Sequence, residues 1–450
     1  MYLKRSCAVL AAMIIVLGTG GAFGSVGSDV FTVSAAAETI DSGKCGENVT
    51  WTMDSEGTVI ISGTGAMQDF TRSVGENSTI GGNFAGQDNV RKIVIRDGVT
   101  SVGSYAFLSF SNLEEVSIAG SVKKINEGAF WNCQSLKKVH MEEGMETIGE
   151  FAFQFCSQLT EVNIPNSVKT IDIAAFNQCT ELSNVNIPAS VTEIGSWAFY
   201  LTKWQMAKQA QDPLVIVNGI LIDGETCKGK VVIPDTVKKI SECAFNECSE
   251  MTGVTIPKNI DTISYGAFSE CIKLNEVTIP GWIKNVEDYA FESCVELKSV
   301  TISEGVQEIG EYAFCNCTKL KNITVPESVT KIGKESLGYY YDEKTEESRK
   351  LEGFTITGYK GSAAQKYAQD NGIKFVTLKK QGEPDIIMGD TNGDGDINVT
   401  DIAVVASHIK GIKALEGDGL KAADVNADKD VNVTDISMIA SHIKGIKALR

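Results

Sequence analysis

Along most of the chain, apolar and polar positions keep a short alternation that restarts at fixed intervals. In Glu161-Val162-Asn163-Ile164 the two kinds alternate, the period-two signature of a half-buried strand. Pro165 ends the strand, because proline cannot donate to a sheet ladder. Val168 and Ile171 then give a second inward pair, and Ala175-Phe176 plugs the interior. The Ala-Phe pair recurs at 106-107, 129-130, 152-153, 175-176, 198-199, 244-245, 267-268, 290-291 and 313-314, stepping by 23 residues with one gap of 46. Ordinary globular packing does not produce so long a fixed period. Each unit is one turn of a solenoid, and its inward residues are covered only by the next turn. The pattern predicts a β-strand-rich repeat body with short helical or turn segments over residues 90–337. Roughly twelve coils, spaced by ~4.8 Å between parallel strands, make a rod or arc of about 55 Å.

Two breaks interrupt the phase. The pattern is lost near Gln205 and resumes at Val231 and Ile233. Between them, Val215-Ile216-Val217 and Ile220-Leu221-Ile222 flank Asn218-Gly219, a strong hairpin signal, so a hairpin insertion near 201–230 is expected to protrude from the stack or pack across it. A second insertion, rich in Tyr and charge, covers 338–350; the strand pattern returns at Leu351, Phe354 and Ile356, within a terminal region 338–378.

Seven cysteines share one slot of the repeat: Cys133, Cys156, Cys179, Cys248, Cys271, Cys294 and Cys317. Equivalent positions on stacked coils point the same way, a poor geometry for bridging, so a column of buried thiols is expected rather than a disulfide framework. Cys243 with Cys248, and Cys315 with Cys317, stay open as redox pairs.

The N-terminus reads as an export signal over 1–37: Lys4 and Arg5 precede an apolar run at 7–17, and Ala35-Ala36-Ala37 offers a small-residue cleavage site. That run is too short to cross a bilayer, and no transmembrane segment follows in the mature chain. Of the twelve cysteines Cys7 falls in the signal, which leaves eleven, an odd number that cannot all pair within the chain. A net charge of −17 argues against nucleic acid and anionic membrane partners. Only His140, His408 and His442 are present, which limits histidine-based catalysis.

The unit resembles the leucine-rich repeat of the BspA type (type 5), since period, Pro, Ala-Phe and Cys recur together. Cys45-Gly-Glu-Asn-Val-Thr-Trp51 and Ile61-Ser-Gly-Thr-Gly-Ala-Met67 resemble the β-rich segment that precedes such repeats, here 38–89. Gly361-Ser-Ala-Ala-Gln-Lys-Tyr367-Ala followed by Ile373-Lys-Phe375 resembles their terminal cap. A cap is physically required, because an uncovered last coil exposes its core and a sheet edge.

The sharpest chemistry follows a linker at 379–385. Asp390, Asn392, Asp394, Asp396, Asn398 and Asp401 take the alternating positions of a twelve-residue loop, with Gly395 sixth. This spacing wraps carboxylate, amide and backbone oxygens around one hard cation such as Ca²⁺. The loop returns 34 residues later as Asp424, Asn426, Asp428, Asp430, Asn432 and Asp435, with Lys429 sixth, so two Ca²⁺ ions are expected. Each loop leads into an apolar helix-like run, and Val-Thr-Asp-Ile and Ala-Ser-His-Ile-Lys-Gly-Ile-Lys-Ala-Leu occur in both halves.

The duplication, and Asp rather than Glu at the last loop position, resemble a type I dockerin: a small all-α calcium-binding module over 386–450. The resemblance implies docking to a cohesin module of a scaffoldin in a cellulosome-like assembly. It assigns the cohesin-facing positions to Val399, Thr400, Ala406 and Ser407, with Val433, Thr434, Ala440 and Ser441 as their mates. The near-identity of the halves implies that either can face the partner. His408 and His442 recur with the helices and are read as helix-surface or packing residues.

Repeats and caps account for nearly all of the body, too little remaining for a separate catalytic domain. Its outward strand slot reads Ser117, His140, Asn163, Asn186, Thr255, Thr278, Thr301 and Thr324, a candidate ligand face for a protein or glycan. The reading is a secreted, extracellular, non-catalytic component held at the cell surface through a scaffoldin. Its alternatives are a cellulosomal polysaccharide-degrading enzyme of the glycoside hydrolase type and a surface adhesin or spacer.

Overall fold

The computed structural model describes residues 38–71, 87–342, 344–379 and 386–449. The export-signal stretch and residues 380–385 of the linker lie outside them. The 38–378 region is a β-solenoid. Its alternating segments form a sheet of parallel strands, among them Glu115–Ile118, Lys138–Met141, Glu161–Asn163 and Asn184–Asn186. Their register puts Val139 beside Val116 and Val162, so like residues stack and face the core. The second inward pair forms an opposing sheet of two-residue strands, including Lys124–Ile125, Thr147–Ile148, Thr170–Ile171 and Glu193–Ile194, with Ile125, Ile148 and Ile171 in line and buried. At the N-terminal end an antiparallel meander, Thr39–Lys44, Val49–Asp54 and Thr58–Gly63, passes into the parallel sheet at Lys92–Ile95.

The Ala-Phe segment supplies a third line of contact between coils. Phe107, Phe130, Phe153 and Phe176 each donate their N–H to the carbonyl of the next coil's alanine, at 2.8 Å every time. Their rings stack at centroid spacings of 5.1, 5.2 and 5.3 Å, nearly parallel and fully buried. Phe245, Phe268, Phe291 and Phe314 repeat the arrangement at 5.0, 5.2 and 5.2 Å. The shared-slot cysteines complete the line: the thiol of Cys133 donates to the Phe107 carbonyl at 3.1 Å, Cys156 to Phe130 at 3.3 Å and Cys179 to Phe153 at 3.1 Å. Cysteine is small enough for the core and still carries a donor, which explains its place there. All eleven described cysteines are buried and unbridged, including Cys243, Cys248, Cys315 and Cys317. Burial pushes the Cys227 thiol up to about 11 and that of Cys248 to about 12.

At the first break the structure holds a helix as well as a hairpin. Helix α1, Lys203–Gln211, starts at Thr202, whose hydroxyl accepts the N–H of Gln205, and it lays Trp204 against Phe199 at 4.8 Å. The hairpin joins Val215–Val217 to Ile220–Asp223 through Asn218 (φ 53°) and Gly219 (φ 82°). It lies within the stack: Ile220–Asp223 is buried along its length and pairs in parallel with Lys239–Ile240. The apolar core divides there into one cluster from Cys45 to Ile222 and another from Leu221 to Ala368. Buried Asp223 accepts hydrogen bonds from Gln205 (3.1 Å) and Gln209 (2.5 Å) of α1. Across the junction the Ser241 hydroxyl donates to the Ile194 carbonyl at 3.0 Å, and Lys239 pairs with Glu193.

The C-terminal end closes with the hairpin Tyr339–Asp342 and Glu347–Lys350, strand Thr355–Tyr359, helix α2 at Ala363–Asp370 and strand Lys374–Leu378. The Tyr367 hydroxyl of α2 accepts the Leu337 N–H at 3.1 Å and donates to the Leu337 carbonyl, tying the helix to the last coil.

Two expectations follow. A body without bridges keeps its Tm when reductant is added, and its thiols resist alkylation until the chain unfolds; a fall of several degrees with reductant shows a bridge. The second concerns Glu225, whose carboxyl is pushed from 4.5 up to about 7 by burial, then by the charges of Asp223 and Glu247. Because the folded-state value is the higher one, its stabilising contribution is full below about pH 4.5 and lost as pH rises through about 7. Glu225→Gln should therefore flatten the decline in Tm between about pH 5 and about pH 8; an equally steep decline in the variant assigns it elsewhere.

Candidate calcium loops and docking surface

The C-terminal module is built from the duplicated segment. Helix α3 is Val399–Ile409, α4 is Gly417–Ala423 and α5 is Val433–Ile443. Asn398 and Asn432 cap α3 and α5, each in a capping box completed by Asp401 or Asp435. Val405, Ala423, Val425 and Ile439 form the small core between α3 and α5.

Each loop is wound around its first and last carboxylates. In the first, Asp390 Oδ1 accepts the N–H groups of Gly393 (2.8 Å) and Asp394 (3.1 Å), and Oδ2 that of Gly395 (2.8 Å). Asp401, fully buried, accepts from Thr391 at 2.7 Å, Asn392 at 3.2 Å and Asn398 at 2.9 Å. Asp424 and Asp435 repeat this in the second loop, accepting from Asp428 (3.1 Å) and Lys429 (2.9 Å), and from Val425 and Asn432 (both 3.0 Å). Asn392, Asp394, Asn426 and Asp428 each accept the N–H two residues on, while Asp396, Asn398, Asp430 and Asn432 line the later half of each loop.

Every side chain at these positions offers oxygen, the donor that suits Ca²⁺. Among the described residues no three His, Cys, Asp or Glu side chains already stand together as a metal shell. The residues thus fit the ion by donor kind and loop position. The loops differ at their left-handed positions: Gly393 (φ 73°) and Gly395 (φ 92°) in the first are replaced by Ala427 (φ 59°) and Lys429 (φ 71°) in the second.

The surface duplicates with the loops. Val399 and Val433 are 69% and 67% exposed, and Thr400 and Thr434 beside them are exposed as well. Ala406, Ser407, Ala440 and Ser441 lie half-buried on the same helices, with the Ser441 hydroxyl donating to the Ser437 carbonyl. Thr400 is held within its loop by Asn392 (3.0 Å) and Asn398 (2.7 Å). Sequence reasoning passed over Ile412 and Ile446, each 73% exposed, although their spacing of 34 residues was there to be read. It read the histidines as helix-surface or packing residues without seeing the hydrogen bond each accepts. His408 Nδ1 accepts the Leu415 N–H at 3.0 Å and His442 Nδ1 the Leu449 N–H at 3.2 Å, and both leucines pack on the small core.

On the solenoid, the outward slot forms a row broken at the junction. Ser117, half-buried, neighbours exposed His140, and the Asn186 amide donates to Asn163 Oδ1 at 2.9 Å. After the junction Thr255 lies beside the exposed Val232, and Thr278, Thr301 and Thr324 run in register into Thr357, a member the sequence reading omitted. The junction also borders a hollow of about 530 Å³ with Asp172, Glu193, Lys239, Glu242 and Glu287 on its walls. Burial, then Glu287, raises the Glu242 carboxyl above its ordinary value.

Comparison with known proteins finds two families. A family model described as "BspA type Leucine rich repeat region" matches residues 78–204 and 225–342. Residues 388–444 match "Dockerin type I domain". Similar solved structures include a leucine-rich repeat protein of Eubacterium ventriosum, 20% identical, covering 65% of this chain and 84% of its own, with a TM-score of 0.45. Another is a leucine rich cell surface protein of Faecalibacterium prausnitzii, 19% identical, covering 77% and 97%, with a TM-score of 0.37. No curated protein sequence matches the chain.

The left-handed conformation costs an L-residue roughly 1–2 kcal/mol, part of which a glycine gives back in chain entropy. Lys429→Gly should therefore stabilise the second loop by about 0.5–1 kcal/mol and tighten its calcium binding, read by thermal unfolding and calcium titration. An unchanged Tm and affinity would show that Lys429 bears no strain.

Proposed function

This chain belongs to the BspA-type leucine-rich repeat proteins and carries a type I dockerin domain, which binds calcium and takes a cohesin as its partner, and on that footing we propose that it is a secreted, non-catalytic component of a cellulosome-like complex. The dockerin fixes the chain to a scaffoldin, and so to the cell surface, while the solenoid presents a rigid face to a protein or glycan. Among the described residues no helix is long and apolar enough to cross a membrane.

In this reading each loop holds one Ca²⁺: Asp390, Asn392, Asp394, Asp396, Asn398 and Asp401 surround the first, and Asp424, Asn426, Asp428, Asp430, Asn432 and Asp435 the second. The ion offsets the mutual repulsion of clustered carboxylates and locks each loop onto the start of its helix. The cohesin then meets Val399, Thr400, Ala406 and Ser407, or, after a half-turn, Val433, Thr434, Ala440 and Ser441.

The observation that carries the proposal is the duplicated exposed patch: an apolar valine with a polar threonine beside it stands outward at the head of both α3 and α5, and the repeated exposure of that valine suits a surface that a partner covers. The test is calorimetric titration of the full chain against a cohesin panel, with Ca²⁺ and with chelator. Binding is expected only with Ca²⁺. Thr400→Asp and Thr434→Asp alone should each change affinity by no more than about threefold, and the two together should lower it by about 100-fold or more. A single substitution that abolishes binding removes the dual orientation; no binding to any cohesin removes the attachment role.

A further inference from the structure

The two sheets of the solenoid do not end together. The long-strand sheet continues past Asn322–Thr324 through Thr355–Tyr359 to Lys374–Leu378, whereas the opposing sheet stops at Lys331–Ile332. Helix α2 packs near that last strand without pairing to it and leaves a groove of about 740 Å³ between them. Between Thr262–Ile263 and Lys331–Ile332 each earlier coil has this position filled by another strand. Gly333, for example, donates its N–H to the Ile309 carbonyl at 2.8 Å. In the same register the N–H and carbonyl of Ile332 face the open side of the ladder.

Four lysines line the groove although the chain carries a net charge of −17. Lys331, Lys334, Lys360 and Lys366 line it, against the carboxylates of Glu327 and Asp370. The first turn of α2 lies on its wall at Ser362 and Ala363, so the positive end of that helix adds to the field. Lys331 touches Glu308 at 3.2 Å, Lys366 touches Asp370 at 2.6 Å, and Lys334 lies 3.6 Å from Glu335 and 5.8 Å from the centre of the Tyr312 ring. Apart from Glu335, which is largely buried, these contacts join exposed side chains, are worth little to stability and are readily exchanged for a ligand's carboxylates. Lysines at a sheet edge also deter edge-to-edge aggregation. Here, though, they converge from the last strand and the segment after it, and from the capping helix and the turn before it, on one hollow with an apolar floor at Val329, Ile332 and Tyr367.

We propose that this groove binds an extended, carboxylate-rich peptide of a partner protein. The peptide adds as a further strand beside Lys331–Ile332, bonding to the open ladder groups of Ile332, while the four lysines pair with its acidic side chains. Ladder groups repeat every second residue and match a peptide backbone, and charge complementarity selects acidic side chains from the alternatives. An acidic polysaccharide could meet the lysines but not the ladder. The site is independent of cohesin docking, since no residue of 388–444 lines the groove.

The test is fluorescence anisotropy on the full chain in Ca²⁺, with a labelled octapeptide of alternating glutamate and valine as the probe. Saturable binding is expected, weakened at least about tenfold when glutamine replaces glutamate and at least about tenfold in the variant K331E/K334E/K360E/K366E, with cohesin affinity unchanged. Hydrogen exchange supplies a readout that needs no variant: the bound peptide should slow exchange of the Ile332 amide. Equal binding of the glutamine peptide, an unaffected quadruple variant, or unchanged Ile332 exchange at saturation would each overturn the proposal. Binding of polygalacturonate that needs the lysines, without binding of the peptide, would hand the groove to an acidic polysaccharide instead.

Discussion

No coil of this solenoid can satisfy itself. Its valines and isoleucines are covered by their counterparts one turn along, and its strand N–H groups find acceptors only in the neighbouring turn. The Phe153 residue illustrates the dependence: its ring lies between those of Phe130 and Phe176, its N–H goes to Ala175, and its carbonyl takes the Cys179 thiol. One position thus serves packing, backbone and side-chain bonding at once, which is why period, Ala-Phe and Cys recur together. The same mutual support tolerates local strain. Phe151 and Phe155 stand in the left-handed region at φ 56° and 64°, conformations that cost roughly 1 kcal/mol or more each. Their N–H groups donate at 2.9 Å to Ile173 and Asn177 of the next coil, which offsets that cost.

A structure built on neighbours must deal with its ends and its interruption. At the start, an antiparallel meander turns the first parallel strand from an edge into an interior one. At the junction, Trp204 covers the last ring of the first phenylalanine stack. Gly224 lies so close to Phe245, at the head of the second stack, that a Cβ there would meet the ring at 2.3 Å. The two cores are then joined by polar stitching through Ser241 and Lys239 rather than by continuous apolar packing.

The coil was legible because its signals are redundant: alternation, Pro165, Ala175-Phe176 and Cys179 each mark the same register. Helix α1 was not, though Lys203–Gln211 is made largely of strong helix formers behind a Thr202 cap. The Asn218-Gly219 turn is the louder local signal, and it drew the whole off-pattern stretch toward a hairpin. In the C-terminal module, the twelve oxygen-bearing positions were legible from spacing alone. Ala427 looked unremarkable beside them because a backbone angle leaves no mark on side-chain chemistry. The hydrogen bonds of His408 and His442 close only after the chain turns back at the helix end, so seven residues of separation concealed them. The unequal ends of the two sheets were hidden for a similar reason, since both strands of a coil belong to one and the same repeat.

The division of the core at the hairpin bears on how the body behaves under load. A chain fixed at one end and pulled at the other is drawn against ladders that join adjacent coils one at a time. Such a stack peels rather than ruptures as a whole. Each released coil of 23 residues frees about 80 Å of contour, taking ~3.4 Å per residue. With two apolar clusters meeting between Leu221 and Ile222, peeling in one half need not propagate into the other. The body then acts as two shock absorbers in series, lengthening under tension while half of its surface keeps its shape.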